Sequence, residues 1–131
     1  MKLSEVQSEF IEIFNSMETW QEKFQFIVDM GGNLPGYPEH LKNPDTKIMS
    51  CNSQTYFFAK ELTGLVCING WSNASIPSGL IAVLREIFDG CRIEELKETK
   101  IDFHIKTDLI NNLTEQRKAG LLEMINKILL L

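Results

Sequence analysis

Apolar residues recur at helical spacing from the start of the chain. Leu3, Val6, Phe10, Ile13 and Phe14, broken by Glu9 and Glu12, predict an amphipathic helix ending near Asn15-Ser16. Thr19-Trp20-Gln21-Glu22 then has the form of a capping box, in which Thr19 accepts from the third helical amide and Glu22 reaches back. The helix it opens carries Trp20, Phe24, Ile27 and Val28 on one face and is expected to stop at Gly31-Gly32-Asn33, where positive φ is cheap. Three of the four prolines fall between Leu34 and Asp45 with Gly36 and Asn43, so no regular element fits that stretch.

The period then changes. Thr55-Tyr56-Phe57-Phe58-Ala59-Lys60 and Leu65-Val66-Cys67-Ile68-Asn69-Gly70-Trp71 are rich in β-formers and are joined by Leu62-Thr63-Gly64, which predicts an antiparallel hairpin. Lys47-Ile48-Met49 is expected to add a short third strand, with Cys51 at the bend. Ile76, Leu80, Val83, Leu84, Ile87 and Phe88 return to helical spacing. Pro77 sits in the first turn of that helix, Ile81 and Ala82 widen its apolar face, and Asp89-Gly90 ends it. Arg92 to Glu98 reads as a short surface helix. Ile101 to Asn112 fits either alternation or a helix, and helix is preferred; Thr114 caps a last helix through Leu121, Leu122, Ile125, Ile128 and Leu129.

Composition narrows the function classes. At 131 residues and 44% hydrophobic content, residues 1–131 are read as one domain, able to bury roughly two-thirds of the unfolded surface without staples. Thirteen Lys and Arg against eighteen Asp and Glu, a net charge of −5 with no basic stripe, argue against nucleic acid. Met1-Lys2-Leu3-Ser4-Glu5 lacks the apolar run of a signal peptide, and no stretch approaches the roughly 18 apolar residues of a membrane span, so a cytoplasmic protein off the membrane is expected. Cys51, Cys67 and Cys91 are odd in number, have no Cys-x-x-Cys spacing and read as free thiols.

Cys51 is the candidate reactive group. No periodicity assigns it to a core face, and Asn52, Ser53 and Gln54 offer side-chain donors that favour a thiolate; the alternative is an inert loop cysteine. Cys67 and Cys91 read as packed. A cluster held by all three thiols is a lesser alternative, because the spacings carry no ligand signature, and no metal site is expected. His40 and His104 read as surface or solvated residues. Arg117 is a helix-face charge by default, yet Gly120 inside the same helix costs about 1 kcal/mol against alanine and implies a close backbone approach. No phosphate loop, serine elbow or cofactor-like lysine is present, so no organic cofactor is expected.

Several of these segments together resemble the SufE family. Trp20-Gln21-Glu22-Lys23-Phe24 through Gly31 and Leu34-Pro35 is similar to the family's second helix and its closing Leu-Pro, and Cys51-Asn52-Ser53-Gln54 to its acceptor cysteine and surround. Ser72 to Ile76 with Gly79 to Leu84 is similar to the turn and buried helix after the hairpin. Leu113-Thr114 through Arg117, Gly120 and Leu121 resembles the C-terminal motif. Ser50 stands where a glycine is usual, Thr55-Tyr56 replaces Val-Trp, Asn73 replaces an aspartate and Asp108 a glycine.

The resemblance implies an α+β fold, helices packed on a small antiparallel three-stranded sheet, shared with IscU-type scaffolds. It implies a sulfur acceptor and activator for a PLP-dependent cysteine desulfurase of the SufS/CsdA kind. Cys51 would take the sulfur as a persulfide, with Ser53, Gln54, Asn73 and Arg117 supporting, and pass it to an iron–sulfur scaffold. The pyridoxal phosphate is the partner's. The chain itself is expected to be a monomer or weak homodimer. A thiol so used is expected to tuck against apolar residues such as Phe57 or the Leu80 helix until the desulfurase docks.

Overall fold

The computed structural model describes residues 1–131. In chain order its elements are α1 (Leu3–Ser16), α2 (Trp20–Gly31), β1 (Thr55–Leu62), β2 (Leu65–Ser72), α3 (Ser75–Phe88), α4 (Ile93–Glu98), α5 (Phe103–Lys106) and α6 (Glu115–Leu129), with single 3-10 turns at Glu39–Leu41 and Leu109–Asn112. Helix α3 is the centre of the molecule. It lies on the inner face of the hairpin, where Phe57, Val66 and Ile68 are fully buried, and α1, α2 and α6 pack around it through Phe10 and Phe14, Ile27, and Leu121, Met124 and Ile128.

Antiparallel β1 and β2 pair from Thr55↔Ser72 to Leu62↔Leu65. Their turn puts Thr63 at φ 51° and Gly64 at φ 84°. Two successive left-handed residues give the twist that a two-residue hairpin connection needs. The fold is α+β, but the expected three-stranded sheet is a two-stranded one. Lys47 forms an isolated bridge to Tyr56, with the Ile48 amide donating to the Thr55 carbonyl at 2.9 Å and the Phe57 amide to that of Thr46 at 2.7 Å. The next amides leave the ladder, because those of Met49 and Ser50 donate to the Glu123 carboxylate on α6 at 3.2 and 3.1 Å. At the other edge, Leu65 bridges Arg92 once.

Thr19 caps α2 as expected, its hydroxyl accepting from the Glu22 amide and donating to the Glu22 carboxylate, both at 3.1 Å. The glycines at the far end act differently from expectation. Gly32 has φ −67°, an ordinary helical value. Gly31 is needed for proximity instead: a Cβ there would lie 2.6 Å from the Gly79 amide nitrogen of α3, and one on Gly79 would lie 2.5 Å from the Ile27 carbonyl oxygen. The proline-rich connection then crosses the outer face of the hairpin, where Tyr37 meets Phe58 at 6.0 Å and Lys42 Nζ sits 3.7 Å from the Trp71 ring centroid.

The apolar stripe of α1 differs in one place. Ile13 is 45% exposed, whereas Gln7 is buried on the line of Leu3, Phe10 and Phe14. Gln7 satisfies irregular backbone there, accepting from the Asp102 and Phe103 amides and donating to the Lys100 carbonyl, each at 3.0 Å. The ambiguous 101–112 stretch is α5 followed by a 3-10 turn, with Asp108 between them at φ 60°, a conformation that glycine adopts without strain. His104 is not solvated: it is 8% exposed and its Nδ1 has no partner. No helix is long and apolar enough to cross a membrane.

Candidate functional site

The loop from Met49 to Gln54 leaves the Lys47 bridge, passes over α6 and enters β1. It is fastened at three places. On its N-terminal side, the Glu123 carboxylate accepts from the amides of Met49 and Ser50 and, at 2.6 Å, from the Ser50 hydroxyl. In the middle, the Asn52 side-chain amide donates to the Gln116 side chain. On its C-terminal side, Gln54 and Asn73 exchange bonds: the Gln54 amide donates to Asn73 Oδ1 and the Asn73 amide to the Gln54 carbonyl, both at 3.1 Å.

Cys51 is carried between these fastenings, half-buried, with its sulfur on the backbone of α6. A Cβ on Gly120 would lie 2.5 Å from Cys51 Sγ. The close approach expected of Gly120 is therefore an approach to the candidate thiol. Cys51 lines a cleft of about 310 Å³ whose walls include Ser53, Pro77, Thr114, Gln116 and Arg117. Thr114 fixes that end of α6, accepting from the Arg117 amide at 3.3 Å. The Arg117 guanidinium is exposed and makes no ion pair.

Burial pushes the Cys51 thiol above its ordinary range. The Thr55 hydroxyl opposes that shift, the Glu123 carboxylate adds to it, and Arg117 pulls the other way. Thr55, fully buried, links Ser53 at 3.0 Å to Ser72 at 2.8 Å through its hydroxyl. The side chains of Asn52 and Ser53 are thus bonded to Gln116 and Thr55, and the polar contact at Gln54 is made by its backbone. Of the residues singled out in the sequence, Cys51, Ser53 and Arg117 line one cleft, and Gln54 and Asn73 staple its loop to the turn before α3. Glu123, Gln116 and Thr55 were not among them.

The other thiols sit elsewhere. Cys67 is partly exposed on the outer face of β2, opposite the core face of Val66 and Ile68, and so is less packed than expected. Cys91 follows Gly90 and packs on the core, where burial and the carboxylates of Glu95 and Asp89 push its thiol up to about 11. No three His, Cys, Asp or Glu side chains are grouped to hold a metal ion. A larger depression of about 980 Å³ between α1 and α4 is lined by charges of both signs. Its Glu95 carboxylate is occupied in joining the two helix starts, accepting from the Leu3 and Arg92 amides, which hold it below the usual carboxylate range.

Residues 8–130 match the SufE family, described as an Fe-S metabolism associated domain. The chain belongs to the SufE family. A SufE-like protein of Rhizobium meliloti (strain 1021) is 32% identical to it over 126 residues, 92% of this chain and 89% of that protein. The cysteine desulfuration protein SufE of Wigglesworthia glossinidia brevipalpis is 30% identical over 114 residues, 86% of this chain and 79% of that one. The solution structure of a hypothetical protein from Thermus thermophilus superimposes with a TM-score of 0.73 over 98% of this chain and 96% of that one; at 19% identity it shows a shared fold.

Proposed function

We propose that this SufE-family chain accepts a sulfane sulfur on Cys51 from a PLP-dependent cysteine desulfurase and hands it on for iron–sulfur cluster assembly. Sulfur transfer in the company of a desulfurase is the coarse role that goes with the family. The finer reading is carried by one observation: Cys51 lines a cleft beside Arg117, on a loop fastened by hydrogen bonds that a partner can replace.

The exchange is redox-neutral. The Cys51 thiolate attacks the outer sulfur of the desulfurase's cysteine persulfide, the donor S–S bond breaks, and the donor cysteine leaves as a thiolate while a new S–S bond forms on Cys51. Arg117 favours the anion at the acceptor, both before attack and as the persulfide. Ser53, Gln54 and Asn73 hold the loop that presents it. Conversion of cysteine to alanine belongs to the partner and its cofactor. A cluster-scaffold reading has less support, since the three thiols do not converge.

Intact mass after incubation with a desulfurase and cysteine tests this. The expected result is an increase of about 32 Da per sulfur, removed by dithiothreitol, mapping to Cys51 and absent from Cys51→Ser. An adduct that maps to Cys67 or Cys91 overturns the assignment.

A further inference from the structure

We propose that Glu123 is the latch of the acceptor loop: its carboxylate holds Met49 and Ser50 down on α6, keeps the Cys51 sulfur against Gly120, and must be displaced before Cys51 can receive sulfur. The last step rests on the sulfur-acceptor reading above; the latch itself does not.

Three bonds end on that one carboxylate, two from consecutive backbone amides and one from the Ser50 hydroxyl. Hydrogen bonds to an ionised acceptor are about twice as strong as neutral ones. Little else restrains this side of the loop. Met49 is 74% exposed, so its side chain loses little burial when the segment lifts, and the only other backbone bond given by the loop amides there is a long one of 3.4 Å from Cys51 to Ile48. Ser50 adds the third bond through its hydroxyl, the one of the three that a side-chain substitution in the loop removes.

The same carboxylate also works against the thiolate, while Arg117 works for it. Lifting the loop away from Glu123 therefore exposes the sulfur and removes a charge that suppresses its ionisation. Shielding and deactivation are relieved in one motion, and a partner that contacts Met49 and replaces the three acceptor interactions accomplishes both.

The test is the rate of Cys51 alkylation by iodoacetamide across pH in the free full-length protein, read by peptide mapping, for the wild type, Glu123→Ala, Glu123→Gln and Ser50→Ala. A change in charge alone moves the midpoint of the pH profile and leaves its high-pH plateau in place. Latch opening raises the plateau, and the expected rise is about tenfold for Glu123→Ala and about threefold for Ser50→Ala, which keeps the two amide bonds. A plateau within about twofold of wild type in folded Glu123→Ala overturns the latch. Should that variant fail to fold, Ser50→Ala and Glu123→Gln decide in the same way, and wild-type plateaus in both overturn it.

A desulfurase lacking its own active-site cysteine should accelerate alkylation of the wild type but not of Glu123→Ala, which is already open; equal acceleration of both overturns the displacement step. If no sulfur is ever loaded onto wild-type Cys51, the acceptor reading fails, and the plateau in the free protein still decides the latch.

Discussion

Gly120 and Cys51 share one small volume, and that contact explains why a helix interior tolerates a residue about 1 kcal/mol worse than alanine. Sγ occupies the place of the missing methyl, 2.5 Å from where it would be. In Gly120→Ala the sulfur, a side-chain end atom, is the group able to move, so Cys51 should rotate into the cleft. Stability should stay within about 1 kcal/mol of wild type, the helix-propensity gain offsetting the lost sulfur packing, while alkylation of Cys51 accelerates several-fold. A large fall in urea midpoint with unchanged alkylation would mean that α6 shifts instead. Part of this site was legible in the chain: a thiol with no periodic role, and a helix glycine that needed a reason. Glu123 was not, because it lies 73 residues from Ser50 and a carboxylate on a helix face reads as solvated until the loop is seen on it. Asn52 and Ser53 carried the right donor chemistry for a thiolate, but their bonds go to Gln116 and Thr55. The direction of a short polar side chain is set by tertiary neighbours that local sequence does not contain.

Between elements, the tightest constraint is the crossing of α2 and α3, where Gly31 and Gly79 bring backbone to backbone. An added methyl at Gly79 would meet Ile27 Cγ2, but also the Ile27 carbonyl oxygen at 2.5 Å and carbon at 2.8 Å, so the crowding cannot be relieved by a side-chain rotation alone. Gly79→Ala should therefore destabilise the fold by roughly 2–3 kcal/mol, despite the better helix propensity of alanine, as a drop in urea midpoint at unchanged slope. A wild-type midpoint would show that the helices part easily. Element identity was otherwise well written into the chain where a local signal sufficed: Thr19 and Thr114 as caps, Thr63-Gly64 as a turn, Gly90 at φ 84° as a stop. It was not where the outcome depended on a distant acceptor. Lys47-Ile48-Met49 has strand-like residues, yet the Met49 amide finds Glu123 before it finds a strand, and the start of 101–112 is fixed by Gln7 through the Asp102 and Phe103 amides.

Across the whole molecule, with its net charge of −5, one buried group should make stability fall between neutral pH and about pH 5.5. His104 packs edge-on against Phe103 with ring centroids 5.2 Å apart, and its Nδ1 has no partner. Burial lowers its pKa below the ordinary 6.5, and the neighbouring Asp102 carboxylate, itself 3.3 Å from Lys106, opposes that shift only in part. As pH falls below 6.5 the unfolded chain takes up the proton first, so unfolding is favoured progressively until the folded pKa is passed. Stability from a neutral His104 is thus fully present above the unfolded pKa and is lost as pH drops through the folded one. One proton limits the slope to about 1.4 kcal/mol per pH unit. Urea midpoints taken from about pH 7.5 down to about pH 5.5 should fall for the wild type and stay flatter for His104→Gln, whose side chain does not titrate there. Parallel curves for the two proteins would move the origin of the acid sensitivity away from His104.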